Sequence, residues 1–396
     1  MIAPSSRFLI VGEQVTGPVH TGQVIDWDQR RWYNINGPLT YIPPEENVDI
    51  DVLKRYIGQL GQTVKSITVD ENGLLVNVSS DPEDDSTLTT HDPRLANAPS
   101  LQSCPAVQHS QLTEEDRLGP TVDLVSYADD AGLKKLAVFK YDMIFQRRSW
   151  IWNELHLNKA LPRHPNIVPF DRVVLSDAES RLLGFTTPYI PNGTMEENKD
   201  RVFKLSWFQQ LLDVVDYLNF ELGIAHQDIA PGNLLVEPET DNLLLFDFDR
   251  AARVNHTSCL PERNDVKGVI FTLYEIVSQD DHFRRVEHRK QDQNSVLDLE
   301  SWPVKTKLDS DIREFRKLLN AWVQRRKEQD SAPAEDVEFT PGIPDVPPAS
   351  PVIKYHDENG VAKWGDNSIR SRQQALEHKE SLIVWERPPQ QLAPLE

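Results

Sequence analysis

Two cysteines in 396 residues, Cys104 and Cys259, are too few for a disulfide framework, and their scarcity points to a reducing, intracellular compartment. Basic residues are scarce as well: 42 Lys and Arg against 62 Asp and Glu leave a formal net charge of −20. Nucleic-acid backbones are held by clustered cations, so no nucleic-acid partner is expected. Short basic groups such as Arg284-Arg285 and Arg325-Arg326-Lys327 read as solvated helix faces. No apolar run approaches the ~18–20 residues of a membrane helix. Phe8-Leu9-Ile10-Val11 is also too short for a signal-peptide core, so no membrane association is expected. What remains is a chain with 39% hydrophobic residues and nine Trp, which argues for a packed core, and its length suits two or three folded units. The sequons at Asn77, Asn192 and Asn255 read as chance.

Residues 1–80 suggest a small accessory α/β module. Arg7 to Val15 and Gly22 to Ile35 carry strand character, and Val48, Ile50, Val52, Leu53, Tyr56, Ile57 and Leu60 form a helical stripe. Two further strands, Thr63 to Val69 and Leu74 to Val78, flank Asp70-Glu71-Asn72-Gly73, a hairpin signal. Residues 81–110 are polar and contain Pro, which reads as a linker. From 111 to 187 the pattern predicts strands at 122–127, 136–141, 167–175 and 181–187, with a helix over 148–161. From 188 to 328 helices dominate, at 205–222, 266–277 and 309–327. Residues 329–396 begin as a Pro-rich linker, with Pro341-Gly342-Ile343-Pro344 at P-x-x-P spacing, and end in a segment with apolar anchors between Trp364 and Trp385 that is expected to dock on the body. Strands first and helices after predict a two-lobed α+β architecture.

The chemistry concentrates in His226-Gln227-Asp228-Ile229-Ala230-Pro231-Gly232-Asn233 and in Leu245-Phe246-Asp247-Phe248-Asp249. Asn233 lies five positions after Asp228 (233 − 228) and Asp247 nineteen after it (247 − 228). Phosphoryl transfer from a nucleotide needs such a set: one carboxylate beside the attacking hydroxyl, and a carboxylate with an amide to hold Mg²⁺. The apolar runs Leu234-Leu235-Val236 and Leu243-Leu244-Leu245-Phe246 around a polar turn predict a buried hairpin that carries both acidic ends to one place.

With Ala137-Val138-Phe139-Lys140, His164-Pro165-Asn166-Ile167 and these two motifs, the stretch from about Gln111 to Lys327 resembles the protein kinase-like family, in an atypical form like members found in filamentous fungi. The resemblance implies a small β-rich lobe and a helical lobe, with ATP and Mg²⁺ as cofactors. It implies that Lys140 meets the nucleotide phosphates and pairs with Glu154. Thr187, Pro188 and Ile190 would form the adenine hinge, and Gly119 would belong to the phosphate loop. Asp228 would accept the hydroxyl proton, while Asn233 and Asp247 would hold the metal. Asp265 would receive catalytic-loop amides. Four departures accompany the likeness. Gly119-Pro120-Thr121-Val122 retains one glycine; Ala230 replaces a loop Lys; Gln227 stands where Arg is common; and fifteen residues (250–264) separate Asp249 from Asp265. The expected activity is transfer of the ATP γ-phosphate to a hydroxyl acceptor, as in a Ser/Thr protein kinase. A small-molecule kinase of the aminoglycoside or choline type is one alternative, and a pseudokinase scaffold is the other. The N-terminal module and the Pro-rich tail are the expected places for a protein partner.

Overall fold

The computed structural model describes residues 2–44, 46–254, 256–329, 343–347, 353–356, 360–365 and 369–387. The P-x-x-P stretch and the sequon at Asn255 each lie partly outside these residues. The chain divides into two compact units. The first comprises Met1–Ser149, Arg172–Thr186 and Val346–Glu396; the second comprises Trp150–Asp171 and Thr187–Asp345.

The first unit begins with β1 (Phe8–Thr16), β2 (Val19–Asp26), β3 (Arg31–Pro38), α1 (Val48–Tyr56), β4 (Ser66–Val69) and β5 (Leu75–Ser79). They form one sheet in the order β1-β2-β3-β4-β5, in which β3 and β4 run parallel. The stretch Gly22 to Ile35 is two strands, because the chain turns at Trp27 to Arg30, where Arg30 takes a left-handed φ of 53°. Successive strand residues point to opposite faces. Val24, Tyr33 and Ile35 therefore pack with Val52 and Leu53 of α1, while Ile25 and Trp32 enter a second core with other partners. Each fully buried aliphatic side chain in these layers contributes about 1.5–3 kcal/mol.

That second core belongs to a six-stranded sheet. Its strands follow β6 (Leu88–Thr90) in the chain: β7 (Ala106–Gln108), β8 (Thr113–Gly119), β9 (Val122–Ala128), β10 (Lys134–Tyr141), β11 (Arg172–Leu175) and β12 (Leu182–Pro188); between β10 and β11 the chain forms α2 (Arg148–Ala160), which from Trp150 on belongs to the second unit. The sheet order is β7-β11-β12-β10-β9-β8, with β7 parallel to β11. Two stretches differ from the sequence reading. β7 lies within residues 81–110 and supplies hydrogen bonds to the edge of β11, which a three-residue strand does without any visible apolar pattern. β8 holds one large apolar residue, Leu118, so its strand character comes from backbone pairing with β9. Trp385 stacks on Tyr141 of β10 with ring centroids 4.8 Å apart, which seats the C-terminal segment on this sheet.

The second unit is mostly helical: α3 (Leu205–Asp216), β13 (Ile224–Ala225), β14 (Leu234–Val236), β15 (Leu243–Leu245), β16 (Ala252–Arg253), α4 (Asp265–Ser278), α5 (Asn294–Leu297) and α6 (Ile312–Gln329). Trp207, Leu211, Leu212 and Val215 of α3 face Phe271, Leu273, Phe315 and Trp322 in one core. The α-helix expected to reach residue 222 changes to a π turn over Tyr217–Glu221. Asn264 caps α4, its side-chain oxygen accepting from the amides of Val266 at 2.8 Å and Lys267 at 3.3 Å. A β-rich unit and a helical unit give the α+β, two-lobed class. Among the described residues no helix is long and apolar enough to cross a membrane.

Candidate active site

The acidic motifs sit on the second unit, at the ends of a hairpin. β14 and β15 pair antiparallel with Leu234 opposite Leu245. Phe246 then donates its amide to the Asn233 carbonyl at 3.2 Å, which carries the ladder one step further. Asn233 precedes one strand and Asp247 follows the other, so both emerge at the same end of the hairpin. The Asn233 side chain bends back on the loop before it, where Nδ2 donates to the Asp228 carbonyl at 2.8 Å and to Asp228 Oδ2 at 3.2 Å. Asp228, Asn233 and Asp247 are thus brought together by local chain geometry. Asp247 takes a left-handed φ of 68° and Gln227 one of 64°. Non-glycine residues pay about 1–2 kcal/mol for that conformation, so the surrounding bonds must enforce it.

Asp265 supplies much of that enforcement. Buried at the start of α4, its carboxylate accepts from the amides of His226 at 2.8 Å and Gln227 at 2.7 Å, and from Asn219 Nδ2 at 2.8 Å. His226 is fully buried, with Nε2 at 3.0 Å from the Phe246 carbonyl and its ring 4.8 Å from Phe248. From the other side, Thr272 Oγ1 donates to the Ile229 carbonyl at 3.0 Å. The loop is therefore tied to the hairpin on one flank and to α4 on the other.

Two sets of contacts near Asp228 have no counterpart in the sequence reading. Gln227 Nε2 donates to the carbonyls of Arg250 at 2.6 Å and Ser258 at 3.1 Å, and its Oε1 accepts from the Leu260 amide at 2.5 Å. The neutral amide thus straps the short segment after Asp249 to the loop. Arg263 places Nη1 3.8 Å from Asp228 Oδ1, so a cation near the end of that segment faces the carboxylate. Neither contact has a local sequence signal, since each partner lies more than 20 residues away.

The remaining expected site residues are distributed as follows. In the second unit, Glu154 of α2 is buried, its carbonyl accepting from Asn158 Nδ2 at 3.0 Å. Two positions on, burial pushes the His156 imidazole down to about 4, with Lys159 adding repulsion. Thr187 and Pro188 close β12, and Ile190 packs with Val168 and Leu244, flanked by the half-buried Leu235 and Phe246. In the first unit, Lys140 lies on β10 opposite Val122. β12 comes so close there that a side chain at Gly184 would meet the Lys140 carbonyl at 2.0 Å. Burial pushes the nearby Asp142 carboxyl up to about 6, against a 2.7 Å hydrogen bond from the Ile144 amide. Gly119 ends β8 at a two-residue turn to Val122. Arg117, buried beneath, donates from Nη2 to the carbonyls of Gly119 at 3.2 Å and Pro120 at 2.8 Å. A side chain at position 119 would meet only Val122, at 3.8 Å, so nothing in this turn requires glycine.

Comparison with known proteins agrees with this layout. Residues 128–274 match the family described as protein kinase domain. The chain is 35% identical over 137 residues to CBL-interacting serine/threonine-protein kinase 16 of Arabidopsis thaliana, covering 32% of this chain and 27% of that protein. It is 32% identical over 116 residues to CBL-interacting protein kinase 12 of Oryza sativa subsp. japonica, covering 28% and 19%. It is 28% identical over 109 residues to serine/threonine-protein kinase CHK1 of Saccharomyces cerevisiae, covering 26% and 20%. The matched stretch thus spans less than a third of each of these relatives. The match to the protein kinase domain family is thus confined to residues 128–274, and over that stretch the chain is similar to these Ser/Thr kinases.

Proposed function

We propose that the protein is an ATP-dependent phosphotransferase of the Ser/Thr kinase type, transferring the γ-phosphate of MgATP to a hydroxyl acceptor. The observation that carries this reading is the Asn233 side chain, which ties itself to Asp228 while standing at the same hairpin end as Asp247. With Nδ2 committed to Asp228, the Asn233 amide oxygen is the atom left to meet a cation. That oxygen and the Asp247 carboxylate are hard donors, a set that fits Mg²⁺. Mg²⁺, when bound, offsets phosphate charge at that end of the hairpin. Asp228 takes the acceptor hydroxyl's proton, and Asn233 fixes its orientation. Arg263 tempers the carboxylate charge at 3.8 Å. The resemblance implies Lys140 as the cation for the phosphates and Glu154 as its partner. The Pro188 carbonyl and Ile190 amide offer the acceptor and donor that an adenine edge needs. Cys104 and Cys259 form no disulfide, which suits an intracellular setting.

A small-molecule acceptor is the second reading. It is favoured by the segment between Asp249 and Asp265, which is short and strapped down by Gln227, leaving little chain to dock a peptide. Thermal shift with MgATP, followed by labelled γ-phosphate transfer to a Ser/Thr peptide library and to amino-alcohol acceptors, tests both. Stabilisation by MgATP with label in peptides is the expected result, since ligand at 100 times its Kd adds about 2.7 kcal/mol. No stabilisation at millimolar MgATP contradicts either kinase reading and leaves the scaffold alternative.

A further inference from the structure

The first unit carries a cluster that phosphoryl transfer does not use. Glu13, His20 and Asp49 each bring a ligand atom within 4.8 Å of the others. The strand register explains how. Glu13 on β1 stands opposite Gly22 on β2, and His20 lies two residues before Gly22, so all three share one face of the sheet. Asp49 descends onto that face from the first turn of α1. Its carboxylate occupies the space a side chain at Gly22 would fill: a Cβ there would lie 2.2 Å from Asp49 Oδ1. Glycine at position 22 is what admits the acid.

Asp49 and His20 are 1% and 0% exposed, with His20 Nε2 3.2 Å from Asp49 Oδ2. The second carboxylate oxygen, Asp49 Oδ1, is buried with no hydrogen-bond partner, and so is His20 Nδ1. A buried carboxylate oxygen left in that condition is costly. Burial pushes the Asp49 carboxyl upward, and the Glu13 charge adds to the effect. A cation placed among the three would answer the bare oxygen and both acidic charges together.

We propose that Glu13, His20 and Asp49 form a divalent-cation site of the Zn²⁺ class that fastens α1 to the β1–β2 hairpin. Tetrahedral ligands about 2.0–2.2 Å from Zn²⁺ stand roughly 3.3–3.5 Å apart, close to the spacing of His20 and Asp49. An imidazole nitrogen among carboxylates suits Zn²⁺ and disfavours Mg²⁺, which demands six hard oxygens. Glu13 is exposed, so the ion has an entry path and water takes the fourth position. The site is separate from the kinase motifs, and its test does not depend on activity.

The full chain, stripped with chelator, is titrated with ZnCl₂ by calorimetry and followed by thermal shift. One equivalent bound with micromolar affinity or tighter, a raised Tm, and no response to millimolar Mg²⁺ are expected. Glu13→Gln changes an exposed side chain and leaves the fold intact, and it should weaken the one-equivalent binding at least tenfold. His20→Gln should abolish it, if that variant folds. Absence of saturable binding, or Zn²⁺ affinity unchanged in Glu13→Gln, overturns the proposal in favour of a plain His–Asp hydrogen bond.

Discussion

Two turns in this protein are each anchored by one buried charged side chain, and the charges are opposite. At the loop of residues 226–233, Asp265 gathers amides from His226 and Gln227. At the β8–β9 turn, Arg117 gathers carbonyls from Gly119 and Pro120. An acid beneath a loop draws N–H groups inward, and above it Asn233 Nδ2 bonds to the Asp228 carbonyl and carboxylate. A guanidinium beneath a turn fixes it equally well, but a two-residue turn offers no run of amides to curl around phosphate. The comparison shows two ways of fixing a turn: an acid that gathers amides and a guanidinium that gathers carbonyls.

The largest test of that contrast is Asp265→Ala. It strands the buried His226 and Gln227 amides and should cost about 3–5 kcal/mol, read as a fall in Tm by calorimetry. A loss below about 1 kcal/mol would mean that the loop stands without its anchor. Arg117→Met should cost less, about 1–3 kcal/mol, because Arg30 still pairs with Asp123. MgATP affinity should move less than about threefold in that variant; a tenfold change would give the turn a binding role this account denies it. Gln227→Ala removes three bonds to the segment after Asp249 and should lower stability by about 1–2 kcal/mol, with the Leu260 amide exchanging hydrogen at least tenfold faster. Unchanged exchange at Leu260 would show that the strap is not what orders that segment. The smallest effect is on the pH axis. His156 is held neutral with its pKa depressed to about 4, so the unfolded chain binds the extra proton between pH 6.5 and 4. Stability should therefore fall, by on the order of 1–3 kcal/mol, as pH drops through that window. His156→Gln should flatten the profile; an unaltered slope would rule the ring out as its cause.

What could be read in the sequence was local. The hairpin and its acidic ends were legible because Leu234–Val236 and Leu243–Leu245 lie within a dozen residues and are apolar throughout. Asp265 was legible by resemblance, and its bonds match that expectation. The contacts of Arg117, Gln227 and Arg263 were not, because their partners are set by tertiary packing and an Arg or Gln in a polar stretch carries no periodicity. β7 escaped notice for a related reason: three residues on a sheet edge need backbone partners and no apolar face. Nor did composition hint at the Gly22 vacancy beneath Asp49, which only the register of β1 and β2 reveals.

The central claim is that Asp228, held by Asn233, acts as the base in γ-phosphate transfer. Its most direct measurement compares label transfer by the wild type and Asp228→Asn, both saturated with MgATP. A drop of roughly 10²–10⁴-fold in turnover, with the MgATP-induced rise in Tm retained, is the predicted outcome. Equal turnover in the two proteins would contradict it.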